Sequence, residues 1–522
     1  MKKTLIRALV MILALVMLVP LVLAGCNSGG GETGTKPAET ETSETGSSTI
    51  SVMFPFIKNE VKEADYSNVN NGTFSILYQG PDDPLYSHEI YIENGENSSD
   101  KIDYAIYKRN AETQEFFKIK FDFQPASGSA HSKAVIDKVR SAAGSGDNAY
   151  QLVIASHGGD YTPVAMEEGT FLNLKSLPNL DLSKGYWAKY VNDNAEVSGA
   201  IFGVTGSISL NLYQELYVCF FNSSLCRTNG IEPASLYELV VNKQWTLDKM
   251  IELTQDIYTD TNGNGYDTED IYGYGMVFAT LDTVWSSCNI SMAATDASGR
   301  LKLNVDKSRL GNVLRKLNSF TWSQKGVMCI DNESDADAIG ANNKTIFAAG
   351  GAQMVATGHT LFANDRLYNV TIDEMKNCKD YGILPYPKYN RSQKQYYTGA
   401  RDHYTVHMVP LPAKNMADVC GSVLEYLACT SHNKVMPTYY EEVLSGRYTR
   451  DPDSVEMLNI IFQNVKMDAG YVYGLMTLQL MRNLVMINNS GIDSVYQEKS
   501  PGAAALCTRI SNNYARYVSN DR

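Results

Sequence analysis

Three short apolar runs, Phe74 to Tyr78, Ile119 to Phe123 and Tyr150 to Ala155, alternate with two amphipathic stretches. The first stretch begins near Ser99 and sets Ile102, Ala105 and Ile106 on one face; the second covers His131 to Ala143, where Ala134, Val135, Ile136 and Val139 recur at helical spacing. Strands alternating with helices predict βαβ units and a parallel sheet covered on both faces. Ligands of such sheets bind beyond the carboxyl ends of the strands, here Gln79 to Asp83 and Ser156 to Tyr161.

Further along, Leu216 to Phe221 is another apolar run, and Tyr404 to Val409 alternates like a strand. Pro233 suits the first turn of a helix whose apolar face is Leu236, Leu239 and Val240. Trp245-Thr246-Leu247-Asp248 opens the next helix, with Thr246 as N-cap, Trp245 as a packing anchor, and Leu247, Met250, Ile251 and Ile257 as its stripe. Helical periodicity returns at Leu310 to Phe320 and Ala417 to Leu427, and the Met-, Leu- and Tyr-rich end of the chain also reads as helix. The pattern as a whole predicts an α/β fold with a helix-rich second half.

The first residues follow a different rule. Lys2, Lys3 and Arg7 precede an uncharged apolar run, Ala8 to Ala24, that ends at Leu23-Ala24-Gly25-Cys26. The run is interrupted by Pro20 and falls short of the ~20 residues a bilayer span needs, so it reads as a secretory leader over residues 1 to 25. Its ending resembles the bacterial lipobox, which implies a lipidated Cys26 at the mature N-terminus and a place on the extracellular face of the bacterial cytoplasmic membrane. Residues 26 to 49, nearly all Gly, Ser, Thr and Glu, have too little apolar surface to order and read as a tether.

Charge narrows the partners. There are 58 acidic against 45 basic residues, and the leader removes three of the basic ones. An acidic chain is a poor match for nucleic acid or an anionic membrane surface. Tyr outnumbers Phe by 33 to 16, an excess of rings with a polar tip that suits sugars. The length beyond the tether exceeds what one core usually holds, so two lobes are expected. Of nine cysteines, the eight after Cys26 form no C-x-x-C pair and are expected as buried free thiols.

One local motif points to a metal. Asp260, Asn262 and Asn264 at alternate positions, Gly265 at the sixth and the Tyr266 carbonyl at the seventh match the first half of an EF-hand loop. Ile271 stands at the twelfth position, so Glu269 or Asp270 would have to close a structural Ca²⁺ site. His403 and His407 are four apart on a strand-like run, about 13 Å, too far to share zinc. No nucleophile elbow, Walker A loop or placed dinucleotide fingerprint occurs, and no acid pair stands out as a glycosidase dyad, so no catalytic residue is assigned.

Several stretches in order resemble the family 1 extracellular solute-binding proteins of carbohydrate ABC transporters: Tyr150 to Gly169, Glu215 to Asn222, Trp245 to Asp248, Phe347 to Met354 with Gly358, and Asp380 to Pro385. The resemblance covers nearly all of residues 70 to 450. It implies a two-lobed, type II periplasmic-binding-protein-like fold that closes on a carbohydrate, probed by ligand residues at Asp160, His157, Tyr161 and Glu215. The family's sugar-stacking Trp position is Thr360 here, beside His359, so the ring contact falls to Trp285 or another ring. Arg401, next to Asp402 in the strand-like run, is a further ligand candidate. The implied lobes are 50 to 210 plus 345 to 410, and 211 to 344 plus 411 to 522, hinged near 210 and 410. The implied protein is a monomer held to the membrane by lipid alone, delivering sugar to permease subunits and making or breaking no bond. A lipid-anchored glycoside hydrolase and a non-transporting glycan-binding or adhesion protein are the alternatives.

Overall fold

The computed structural model describes residues 53 to 518, apart from 81–87, 129–132, 159–161, 332–345, 348, 446–451 and 476–479. The leader, Cys26 and the tether lie outside the described residues, as do Asp160 and Tyr161. Among the described residues no helix is long and apolar enough to cross a membrane.

The predicted βαβ units form. Strand β1 (Thr73–Gln79) leads to helix α1 (Lys101–Phe117), β2 (Lys120–Ala126), α2 (Ala134–Ser145) and β3 (Leu152–Ser156). β1 pairs in parallel with both β2 and β3, and every residue from Phe74 to Gln79 is buried, as a strand covered on both faces requires. Asp100 starts α1 by accepting hydrogen bonds from the Ile102 and Asp103 N–H groups at 2.8 and 3.0 Å. Gly146 ends α2 at φ 70°, the left-handed conformation glycine adopts without a Cβ penalty.

The second sheet grows from β4 (Tyr217–Asn222), with β5 (Ile271–Val277), β6 (Val327–Ile330), β7 (Thr360–Arg366) and β8 (Tyr381–Pro385). Its order runs from Ile346–Phe347 through β6, β5, β7 and β4 to β8, and Tyr258–Thr259 adds to β5. β5 is parallel to β6 and β7, whereas β4 runs antiparallel between β7 and β8. Helix α3 (Pro233–Val241) has Pro233 in its first turn, and α4 (Leu247–Thr254) is capped by the Thr246 hydroxyl, which accepts from the Lys249 N–H at 3.2 Å. α4 ends before Ile257, so that residue belongs to the connection to the second sheet and not to the helix stripe. Trp245 is the expected anchor: it is fully buried, stacks on Phe362 and donates its indole N–H to the Pro385 carbonyl at 2.9 Å.

The expected division of the chain needs correcting in two places. Residues 346 to 385 were expected with the first sheet, but their strands hydrogen-bond into the second; only β9 (Thr405–Met408) returns to the first, antiparallel to β3. The C-terminal helices were expected with the second sheet, but they cover both. Tyr426 of α5 (Ala417–Thr430) packs against Phe116 and, edge-on, Phe117 of α1, while Ser454, farther along, meets Tyr237 of α3. One buried apolar cluster consequently runs through both sheets. The eight described cysteines are free, and all except the half-buried Cys378 are buried.

Candidate functional site

Three extended segments join the sheets side by side. Glu215 to Tyr217 runs antiparallel to Gly399 to Arg401, with the Arg401 N–H donating to the Glu215 carbonyl and the Tyr217 N–H to the Gly399 carbonyl, both at 3.0 Å. Thr398 then pairs in parallel with Val465, exchanging bonds with Asn464 and Lys466 at 2.9 and 2.8 Å. The first crossing falls where expected near 210; the second precedes 410, and the third had no counterpart in the sequence reading.

Glu215 lies in this ribbon with its side chain fully buried. Arg366, at the carboxyl end of β7, donates to its Oε1 at 3.0 Å and its Oε2 at 3.4 Å. Burial raises the Glu215 carboxyl above its ordinary range, and Arg366 and Arg401 pull it back toward ionisation. Glu215 and Arg401 are thus brought together, but Glu215 is enclosed in a structural ion pair and offers no free face to a ligand.

His157 is also enclosed. It stacks on Tyr404 at 4.8 Å between centroids, and its Nε2 lies 2.8 Å from the Val472 carbonyl, for which it must carry the proton. Burial lowers its pKa, so the ring is neutral. His359 sits at the amino end of β7, the opposite end from Arg366 and the ribbon, with Nδ1 3.4 Å from the Asp270 carbonyl. It is therefore not part of the ribbon site; the turn before β7 positions it beside the Asp260 loop. Thr360 is buried at the start of the same strand.

Two cavities flank the ribbon. The larger, about 600 Å³, lies beside the Glu215 segment and is walled from both sides. Glu89, Asp103 and Gln214 come from the first-sheet side, Tyr368 and Lys376 from the segment after β7, and Tyr439 from α6 (Met436–Ser445). The smaller, about 330 Å³, lies beside Lys466 and is lined by Trp285, Tyr190 and Asp468. Trp285 is 1 % exposed and its indole nitrogen has no partner among the described residues. Of the predicted ligand residues among those described, it alone lines either of these cavities.

The residues that sequence reasoning missed are Glu89, Tyr368 and Tyr439. Glu89 and Tyr439 are each 2 % exposed, and neither Glu89 Oε1 nor the Tyr439 hydroxyl has a hydrogen-bond partner among the described residues. Burial pushes the Glu89 carboxyl up to about 7. Tyr368 lies two residues past the end of β7, in the 3-10 turn Leu367–Thr371, at the ribbon end of the strand and opposite the end that holds Thr360. Once β7 is known to be a strand, its carboxyl end points to this position; the sequence alone does not show that strand.

The Asp260 loop is closed by hydrogen bonds among its own side chains and backbone. Asp260 accepts the Gly263 and Gly265 N–H groups at 2.6 and 3.1 Å. Asn262 accepts from the Asn264 N–H and turns its amide nitrogen toward Asp267 and Glu269 at 2.9 and 3.2 Å. Asp270, the candidate closing ligand, is fully buried and already accepts from the Tyr258 and Tyr272 hydroxyls and the Thr261 and Asp267 N–H groups. Tyr266 is anchored through its hydroxyl to the Val327 carbonyl at 2.6 Å. Among the described residues no group of three or more His, Cys, Asp or Glu is arranged to hold a metal. Because these side chains already hold the loop closed, the chelator EDTA is expected to leave the melting temperature unchanged; a calcium-dependent rise in thermal unfolding would show instead that a metal stabilises the loop.

No protein-family description matches the chain, and no curated protein matches it. Several solved structures similar to the chain carry names of sugar-binding or sugar-transport proteins. A solute-binding protein from Thermotoga lettingae bound to α-D-tagatose is 15 % identical, with 83 % of this chain and 99 % of that chain covered, at a TM-score of 0.45. The cyclic α-maltosyl-1,6-maltose binding protein of Arthrobacter globiformis is 13 % identical over 84 % and 99 %, at 0.49. A Rhizobium etli sugar transporter protein in an open conformation is 11 % identical over 86 % and 100 %, also at 0.49. At these identities and scores the likeness assigns no residue a role.

Proposed function

We propose that the chain is the solute-binding component of an ABC importer, anchored by lipid at Cys26 on the outer face of the membrane. It captures a carbohydrate between its two sheets and passes it unaltered to permease subunits. The observation that carries this reading is the cavity of about 600 Å³, walled from both sheets and abutting the ribbon that joins them. Its size falls within the range of small-molecule sites and gives room for more than one sugar ring. The tyrosine rings and carboxylates that line it match what a sugar presents, an apolar C–H face and a rim of hydroxyls. A site with walls on two bodies couples binding to their relative position, because only the arrangement that makes both sets of contacts is favoured by ligand. The ordered family-like motifs agree with the same reading.

A thermal-shift screen of mono- and oligosaccharides tests it. A sugar at about 100 times its Kd is expected to add about 2.7 kcal/mol to stability. A broad panel without a single shift would overturn the carbohydrate reading, and release of reducing ends from a bound glycan would replace it with a hydrolase.

A further inference from the structure

We propose that the larger cavity selects a sugar carrying a protonated amine, with the ammonium paired to the Glu89 carboxylate and the Tyr439 hydroxyl bonded to a neighbouring oxygen of the sugar. This rests on the carbohydrate-capture reading and narrows its ligand class. Two buried polar atoms that line the cavity, Glu89 Oε1 and the Tyr439 hydroxyl, have no partner among the described residues. Buried polar groups are nearly always hydrogen-bonded, so two orphans on one cavity wall mark where a ligand supplies the missing contacts.

The charge of Glu89 is also uncompensated at close range. Arg109 is the buried cation nearby, but its donors are used elsewhere. Its Nε and Nη2 bond Asn110 Oδ1 at 3.1 and 2.9 Å, its Nη1 bonds the Ser431 hydroxyl at 3.1 Å, and its Nη2 also bonds the backbone carbonyl of Glu89 at 3.0 Å. The other carboxylate oxygen, Oε2, accepts the Asn211 N–H at 3.2 Å. Around the cavity Asp100, Asp103 and Glu442 add negative charge, and Lys376 is the one lysine or arginine among the described lining residues. Glu442 is already tied to Lys101 at 2.7 Å, Asp100 caps α1 and Asp103 Oδ2 accepts the Ser98 hydroxyl at 3.4 Å, which leaves Glu89 as the fully buried carboxylate among the described lining residues. The Asn211 N–H and the Thr405 side chain are the neutral donors to this carboxyl and Arg109 acts on it from farther off, so an ammonium adds a direct charged donor, whereas an acetylated nitrogen or a hydroxyl brings no charge.

The test is isothermal titration of the full chain with three oligosaccharides of equal length: deacetylated β-1,4-glucosamine, its N-acetylated counterpart, and β-1,4-glucose. The deacetylated form is expected to bind at least about tenfold more tightly than the other two, the size of a charge-assisted hydrogen bond. Glu89→Gln is expected to bring all three within about twofold, and Tyr439→Phe to weaken all three alike. Equal or tighter binding of an uncharged sugar by the wild-type chain would overturn the amine preference while leaving the carbohydrate reading intact. Persistence of the preference in Glu89→Gln would overturn the assignment to Glu89. Absence of binding in every arm would overturn the carbohydrate reading and this inference with it. If Glu89→Gln does not fold, the wild-type comparison decides the preference and Tyr439→Phe decides its location.

Discussion

Replacing Arg366 with Met is expected to destabilise the chain by about 3 to 5 kcal/mol at neutral pH, the cost of leaving a buried carboxylate without its partner. Glu215 is fully buried and takes two contacts from the Arg366 guanidinium, while Arg401 is the remaining cation acting on it. Met keeps the aliphatic stem of Arg366, so the loss is one of charge and hydrogen bonds and not of packing. The sign of the pH dependence follows from the Glu215 pKa, already raised by burial and raised further without Arg366. A carboxyl with a raised folded-state pKa contributes stability that is full below its unfolded pKa and is lost as pH rises through the folded value. The defect is therefore expected to be small in acid and to grow toward neutrality. Adding Glu215→Gln removes the stranded charge and is expected to recover part of the loss. Urea unfolding at several pH values measures all three variants. A pH-independent defect, or no recovery in the double variant, would mean that the pair is not the connection holding the ribbon.

The second large effect concerns Glu89. Its carboxyl moves from 4.5 to about 7 on burial, so the folded chain binds a proton that the unfolded chain has released between those values. Relative to Glu89→Gln, the wild-type chain is expected to lose about 3 kcal/mol as pH rises from 4.5 to 7. The neutral buried histidines act in the opposite sense. His157, His407 and His432 all have lowered pKa values, so their contribution is present above about 6.5 and is lost as pH falls toward their folded values. Both chains carry the histidines, so the difference between wild type and Glu89→Gln isolates the carboxyl. Parallel stability curves across this range would show that burial does not raise the Glu89 carboxyl in the ligand-free chain.

The first sheet was legible because its strands and helices are regular: β1 and β3 are continuous apolar runs, and α1 and α2 carry clear stripes. The second sheet was only partly so. β5 contains Gly273 and Gly275, and β7 ends in Asn364, Asp365 and Arg366, so neither shows the alternation or apolar run that marks a strand. These residues are nonetheless buried apart from the half-buried Arg366, because the sheet is covered, Asp365 accepts the Ala352 N–H at 3.0 Å and Arg366 pairs with Glu215. Missing β7 had a consequence for the site. The ring position was sought at Thr360 and His359, at one end of the strand, when the ribbon and the cavity lie at the other, beside Tyr368.

Glu215 and Arg401 were expected as ligand contacts; that they lie side by side in the ribbon, with Glu215 enclosed, could not be read from sequence, since it depends on Arg366 arriving from a distant strand. Glu89 and Tyr439 gave no local signal. Each is an ordinary residue in an ordinary segment, and becomes notable only because folding buries it beside a cavity without a partner.

The central claim is that a sugar is held intact between the two sheets, beside the ribbon. A crystal structure of the full chain with the tightest-binding oligosaccharide tests it most directly. The account predicts density for an uncleaved sugar in contact with Glu89, Tyr368 and Tyr439, touching both sheets' sides at once. Density for that sugar elsewhere on the surface, or for a cleaved product at this cavity, would contradict it.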